Sequence, residues 1–292
     1  MKIGKINCIS IVKNAYVLPL EHVDQPPEKL FYAGTLPQKR QPTVAIIGSR
    51  TPTPYGIEMT RKFATALAKS GVCVISGLAY GIDSIAHEAA LQAGGVTIAV
   101  LAGGLHAIYP SRHTGLAERI VQNGGALISE KPRGYDARKY DFLARNRLIS
   151  GLADAILVPE AAERSGTVST INHALDQGVD VFVIPGPLTS PLSAGTNRTL
   201  QQGAYVALTP NDILLRVAPE KLTKKSQTAL PLGDDERETA IIAQLALAAQ
   251  TQQDLIDQLD VPPPEILSTL TLLELKGIVY RPTDDHWALR PY

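Results

Sequence analysis

Only two of the 292 residues are cysteine, Cys8 and Cys73. They lie far apart, inside the apolar runs INCISIV and VCVIS, which excludes a disulfide scaffold and a thiolate metal centre and fits a reducing compartment. An excess of one charge is also lacking. With 28 basic and 28 acidic residues, the chain is no polycation, so any nucleic-acid contact must come from a local patch. No apolar run reaches the roughly 18 residues that a membrane helix needs. The start, MKIGKINCISIVKNAY, has no signal-peptide core or cleavage site. These absences predict a soluble, cytoplasmic protein without membrane contact. Reaction signatures are missing too: there is no GxxxxGK[ST], no GxGxxG after the first strand, no HExxH, no Cys/His cluster and no GxSxG. A protein without catalysis, cofactor or metal is expected.

What is present is a sizeable core, since 45% of residues are hydrophobic and 19% charged. The charge balance is uneven along the chain. Residues 1–220 carry 21 basic and 17 acidic side chains, whereas 221–292 carry 7 and 11. Between the two parts, LTKKSQTALPLGDDERE has no apolar periodicity, and 218–236 reads as a linker. Upstream, short β-branched runs at 43–49, 72–77, 96–104, 125–130, 154–161, 180–186 and 204–208 alternate with stretches of helical period that end in glycine. Nearly continuous apolar strands alternating with helices predict an α/β fold, a parallel sheet with helices on both faces, over 41–217. Residues 1–40 read as a short N-terminal extension, with INCISIV and YVLPL as an edge hairpin and DQPPEKLFYAG as an extended lead-in. Residues 237–292 read as three helices, with Thr251 capping the second, followed by a β-wing: a small C-terminal winged-helix domain.

Right-handed crossovers place every strand's carboxyl end on one edge, where such sheets bind ligands. The turns there are Gly48-Ser49-Arg50, Ser76-Gly77, Ala102-Gly103-Gly104, Ser129-Glu130, Ser165-Gly166-Thr167 at a helix start, and Pro185-Gly186. One glycine turn is ordinary connection chemistry. Six on one edge form a rim where backbone N–H groups meet an anion. An arginine just past a buried strand, Arg50, is placed to grip a phosphate bidentately, although a surface ion pair would also explain it. The segment Lys131–Arg147 holds six basic residues, among them Lys139, Arg145 and Arg147, against Asp136 and Asp141, with Tyr135, Tyr140 and Phe142 interleaved. Cations for phosphates and rings for unpaired bases suit single-stranded nucleic acid, because a duplex hides its base faces. Core packing of Phe142 and structural ion pairs at Arg145 and Arg147 are the plainer alternatives. Asp83 and His87, one helical turn apart, read as a helix start rather than an acid–base pair.

In order along the chain, VAIIGSRTPTPYG, VISGLAYGIDSIAHEAAL, TIAVLAGGLHAIYP, ISEKPRG, FLARNRLISGLADAILVPEAAERSGTVST and VFVIPGP resemble the DNA-processing family called DprA or Smf, over about residues 24–217. The resemblance implies an extended Rossmann-like domain that binds single-stranded DNA. It further implies a role in natural transformation: protecting incoming strands and loading the recombinase RecA. Homodimers are usual in the family. By position, Gly48, Ser49, Arg50, Gly77, Gly103, Gly104, Lys139, Phe142, Arg145, Asn146, Arg147, Ser165, Gly166 and Thr167 become the expected DNA-binding set. With only about 40 residues before the first strand of the resemblance, an N-terminal SAM-like domain common in the family is expected to be missing or reduced.

Two further readings compete. Lysine-decarboxylase-like phosphoribohydrolases carry PGGxGTxxE at the corresponding helix start. Here the segment is ERSGTVSTINHAL, without the glycine pair and with Ser or Thr in place of the acid, so a nucleotide-binding hydrolase or sensor lacks its proton-transfer group. A duplex-binding regulator would need a basic third helix, but that helix carries Glu265 and no Lys or Arg before Lys276, and the wing has Asp284 and Asp285. The winged helix is therefore expected to contact protein rather than DNA.

Overall fold

All seven β-branched runs form strands. The computed structural model describes residues 3–222, 235–246, 250–259, 261–283 and 285–289, which fall into two units divided between Leu222 and Thr223. In the large unit the strands are β1 (Asn7–Ser10), β2 (Lys29–Gly34), β3 (Thr43–Ile46), β4 (Cys73–Ser76), β5 (Thr97–Val100), β6 (Ala126–Ser129), β7 (Ala155–Val158), β8 (Asp180–Val183) and β9 (Tyr205–Val206). The helices are α1 (Pro54–Lys69), α2 (Ile82–Gln92), α3 (Thr114–Gln122), α4 (Lys139–Leu152), α5 (Gly166–Asp176), α6 (Ala194–Gln201) and α7 (Pro210–Val217). The sheet order is β1-β2-β6-β5-β4-β3-β7-β8-β9, and every pairing from β6 to β9 is parallel.

Strands β3 to β7 are buried at every position, which explains their lack of polar alternation. Successive side chains still point to opposite faces. Val44 and Ile46 pack with Phe63 and Leu67 of α1 and Ile82 of α2, while Ala45 and Ile47 join Leu148 and Leu152 of α4 and Ile171 of α5. Each such Leu, Ile or Phe contributes about 1.5–3 kcal/mol by leaving water.

The N-terminal segment departs from the hairpin expected of it. β1 pairs antiparallel with β2, Cys8 opposite Phe31, and β2 pairs antiparallel with β6. KLFYAG is thus a strand, and the first 40 residues extend the sheet of the large unit. YVLPL is no strand: it leads into a 3-10 helix, Leu18–His22. Pro19 cannot donate to a ladder, and the Asn14 side chain takes the Tyr16 amide at 2.9 Å, turning the chain locally. Tyr16, Val17 and Leu20 are then fully buried, and Val23 packs so closely on α4 that a Cβ at Gly151 would lie 2.2 Å from it.

The large unit continues past α7. Ala218 is fully buried and Lys221 Nζ donates to Gly71 O at 2.8 Å. Of the expected linker, 223–234 lie outside the described residues. The second unit contains α8 (Glu236–Leu245), β10 (Gln250–Thr251), α9 (Gln252–Gln258), α10 (Pro263–Leu275), β11 (Val279–Thr283) and β12 (His286–Leu289), with strand order β10-β12-β11. Thr251 caps α9, taking the Asp254 amide at 3.1 Å while Asp254 takes the Thr251 amide at 2.9 Å. Ile241, Leu255, Ile266, Leu270 and Trp287 form its core. This is the expected winged helix. Asp284 of the wing lies outside the described residues.

Candidate nucleic-acid interface

The strand order reverses between β3 and β7, and a crevice opens at their carboxyl ends, where a doubly wound sheet binds its ligand. A cavity of about 440 Å³ occupies this point. Gly48, Ser49 and Arg50 form one wall. Gly48 has no room for a side chain, since a Cβ would lie 2.6 Å from Glu160 O and 2.8 Å from Ile82. The Ser49 amide donates to Glu160 O at 2.8 Å, and its carbonyl takes the Ile82 amide at 3.0 Å. The turn is therefore fixed from both sides, and Arg50 projects from it exposed to solvent. Among the described residues Arg50 has no hydrogen-bond or ion-pair partner.

The opposite wall is the start of α5, with Ser165, Gly166 and Thr167. The first amides of a helix lack intrahelical acceptors and attract anions. Ser165 holds the capping position without capping: its Oγ is buried and without a partner. Asn146 braces this turn, with its Nδ2 donating to Gly166 O at 3.4 Å.

Arg145 rises from α4 into the floor and is 7% exposed. Its Nη1 donates to Gly77 O at 2.9 Å and also to Val100 O, so one guanidinium bolts the turn after β4 to the end of β5. Gly77 is required there, because a Cβ would sit 2.5 Å from Nη2. Burial lowers the Arg145 pKa to about 10, with the Asp83 carboxylate opposing the shift, so the side chain stays charged at neutral pH. Burial raises the Asp83 pKa, against the pull of Arg145. Asp83 also takes the amides of Gly77 and Ala79 at 3.1 and 3.3 Å. His87 turns elsewhere: its Nδ1 meets Thr97 Oγ1 at 2.7 Å, and burial lowers its pKa to about 3. Asp83 and His87 thus form no acid–base pair.

Phe142 is half-buried and stands edge-to-face to Tyr109, with ring centroids 5.4 Å apart. Phe142 and Arg145 separate the first cavity from a second of about 310 Å³, which Gly77 and Gly103 also line. Gly104 lines neither; a Cβ there would lie 2.3 Å from Pro132 O. Lys139 is exposed at the first turn of α4, outside both cavities. Arg147 is not brought to the site. Two residues beyond Arg145 on a helix, it points the other way, buried, with Nη2 on Glu130 Oε2 at 2.7 Å. Sequence reasoning did not place Asp83 or Tyr109 at the site, whereas Tyr135, one of the interleaved rings expected to meet bases, lines the second cavity. The edge rule that singled out the glycines covered their turns as well, but it was not applied to the aromatic residues.

The arrangement offers cations, unpaired amides, a hydroxyl and aromatic rings, and the cavity's one carboxylate is already engaged. Among the described residues no cluster of His, Cys, Asp or Glu could hold a metal ion, and no helix is long and apolar enough to cross a membrane.

A doubly wound, mostly parallel sheet with helices on both faces and a cavity at its switch point defines a Rossmann-like α/β protein. The family described as DNA recombination-mediator protein A matches residues 7–218, and the DprA winged helix domain matches 224–282. The chain belongs to that DNA-processing family, DprA/Smf. It is 37% identical to protein Smf of Escherichia coli K12 over 285 residues, covering 90% of this chain and 75% of that one. The solved structure of DNA processing protein A from Streptococcus pneumoniae superposes with a TM-score of 0.68 at 36% identity, over 74% of this chain and 76% of that one. DNA processing protein A from Helicobacter pylori, described for its single-stranded DNA binding mode, gives 0.66 at 32% identity, over 75% and 99%.

Proposed function

We propose that this chain binds single-stranded DNA along the carboxyl edge of its large sheet, without cutting or altering it. The observation that carries the reading is the pairing, across one cavity, of the unpartnered Arg50 with the uncapped start of α5, beside the half-buried Phe142. Arg50 and the helix amides take a phosphate; the ring takes a base. The relative from Helicobacter pylori, whose structure is described for single-strand binding, supports it. Family membership supports the wider role: a homodimer in the cytoplasm that protects incoming strands and hands them to RecA in transformation and recombination.

The hydrolase reading is not favoured. The acid position of its motif falls on Thr170, and Asp83 is held by two amides and Arg145.

A gel shift comparing single-stranded with double-stranded oligonucleotides, repeated with Arg50→Ala, tests the proposal. Single strands should bind preferentially, with a log–log salt slope of about −0.7 per neutralised phosphate. Equal affinity for both forms, or an affinity that ignores salt, would remove the basis of the reading.

A further inference from the structure

Among the described residues the large unit buries three carboxylates: Asp83, Asp141 and Glu160. Two of them face a cation. Asp83 feels the Arg145 guanidinium, and Asp141 lies 3.4 Å from Lys131 Nζ. Glu160 is 1% exposed and, among the described residues, has no ion-pair partner. It belongs to the loop between β7 and α5, yet its side chain turns to the start of α1. There Oε2 takes the Thr53 amide at 2.9 Å and Oε1 takes the Thr53 hydroxyl. The room for it is built in, since a Cβ at Gly56 would lie 2.2 Å from Oε2. The helix starts that follow β3 and β7 are thus opposites. α1 has Thr53 as its cap, Pro54 without an N–H, and a carboxylate against its first turn. α5 has the uncapped Ser165 and no acid in its first turn.

From this geometry we infer that Glu160 is a positioning residue for strand binding, an inference that rests on the single-strand reading above. Its carboxylate stands in for a phosphate at the start of α1, so a phosphate of the strand is confined to Arg50 and the start of α5. A helix start attracts an anion through its free amides and dipole. That of α1 is already filled from inside, by a charge that no cation offsets, and it repels a second anion. Arg50 stands three residues before Thr53, a span of at most about 10 Å. That is roughly the screening length at 0.1 M salt, so the Glu160 charge reaches the turn that carries Arg50. The main chain of Glu160 fixes the same turn, because its carbonyl takes the Ser49 amide at 2.8 Å. One residue therefore holds the arginine in place and closes the competing seat beside it.

The experiment measures binding of a thymidine oligonucleotide across a salt series. Glu160→Gln keeps the shape and removes the charge. It should tighten binding about three-fold at low salt and steepen the log–log slope by up to about 0.7, the share of one more phosphate. In that background Arg50→Ala should cost about three-fold rather than about ten-fold, because α1 now offers a second seat. Gly166→Asp does the reverse: it puts an acid in the first turn of α5, where a side chain meets open space. With α1 closed the strand then has no seat, and affinity should fall about ten-fold; adding Glu160→Gln should recover about three-fold of it. A purely structural role for Glu160 predicts weaker binding, never tighter. The inference is overturned if a folded Glu160→Gln chain, checked by denaturant unfolding, binds no tighter than wild type or recovers nothing beside Gly166→Asp. If Glu160→Gln does not fold, Gly166→Asp decides alone, and a loss under about three-fold overturns the confinement to α5. If the wild-type protein does not bind the oligonucleotide, the single-strand reading itself fails.

Discussion

The large unit and the winged-helix unit carry basic residues at a similar density along the chain, and they differ in what those cations do. At the edge of the large sheet, Arg50 and Lys139 have no partner among the described residues, and Arg145 is held by backbone carbonyls facing two cavities. In the winged helix every described basic side chain meets a carboxylate: Arg237 with Glu265, Lys276 with Glu238 at 2.5 Å, Arg281 with Glu274 at 3.9 Å. A paired cation has already neutralised its charge, so it releases little when a phosphate arrives. Availability, not number, marks the binding surface, and Arg147 shows the same point within the large unit.

The sharpest way to break the comparison is at Arg145. Arg145→Ala removes the guanidinium that joins the turns after β4 and β5 and leaves Asp83 buried without its counter-charge. We expect a loss of about 3–5 kcal/mol, read by denaturant unfolding, together with loss of single-strand binding. A stable variant that still bound would show the bolt to be dispensable.

Acid should separate the two units. His87 is fully buried and its pKa is about 3 in the fold, against about 6.5 when unfolded. The unfolded chain therefore binds the extra proton, and stability present above pH 6.5 falls as pH drops toward 3, by up to about 1.4 kcal/mol per unit. Asp83, raised in the fold, acts in the opposite direction. The winged helix has an exposed histidine, His286, and the chain's one tryptophan, Trp287. Between pH 7 and 5, denaturation followed by circular dichroism should weaken by about 2 kcal/mol in the large unit. Tryptophan fluorescence, which reports the winged helix, should move far less. His87→Gln should flatten the first response.

Arg50→Ala sharpens the comparison from the other side. Its side chain touches nothing that the fold needs, so stability should change by less than about 0.5 kcal/mol. Single-strand affinity should fall about ten-fold, and the salt slope should become shallower by about 0.7. A destabilised variant would mean that Arg50 holds the turn rather than the strand.

Much of this was legible in the sequence because it is one-dimensional physics. Continuous apolar runs announce strands buried on both faces, and the crossover rule turns a list of strand ends into one edge that includes Gly48, Ser165 and Gly77. Composition cannot reveal partnership. Arg145 and Arg147 look alike in the string, and only helix geometry sends one to the cavities and the other to Glu130. The YVLPL segment departs from its expected strand for a similar reason. Its apolar residues fit a strand, but Pro19 and the Asn14 turn decide the backbone, and α4 supplies the surface that buries it.

The smallest expected effect is the most direct test of the opening contrast. Residues 223–292 hold eleven acidic and six basic side chains, and the solvent face of α10 carries Leu267, Leu272 and Leu275 where a duplex reader needs cations. Phosphates gain nothing from such a surface, so removing 223–292 should change single-strand affinity at fixed salt by less than three-fold and leave the salt slope unaltered. The large unit has its own cores, which gives the truncated chain the means to fold. A ten-fold loss with an unchanged slope would mean that the winged helix contributes through uncharged contacts. A ten-fold loss with a shallower slope would mean that its cations reach the strand, and the contrast between paired and unpaired charge would no longer explain where this protein binds DNA.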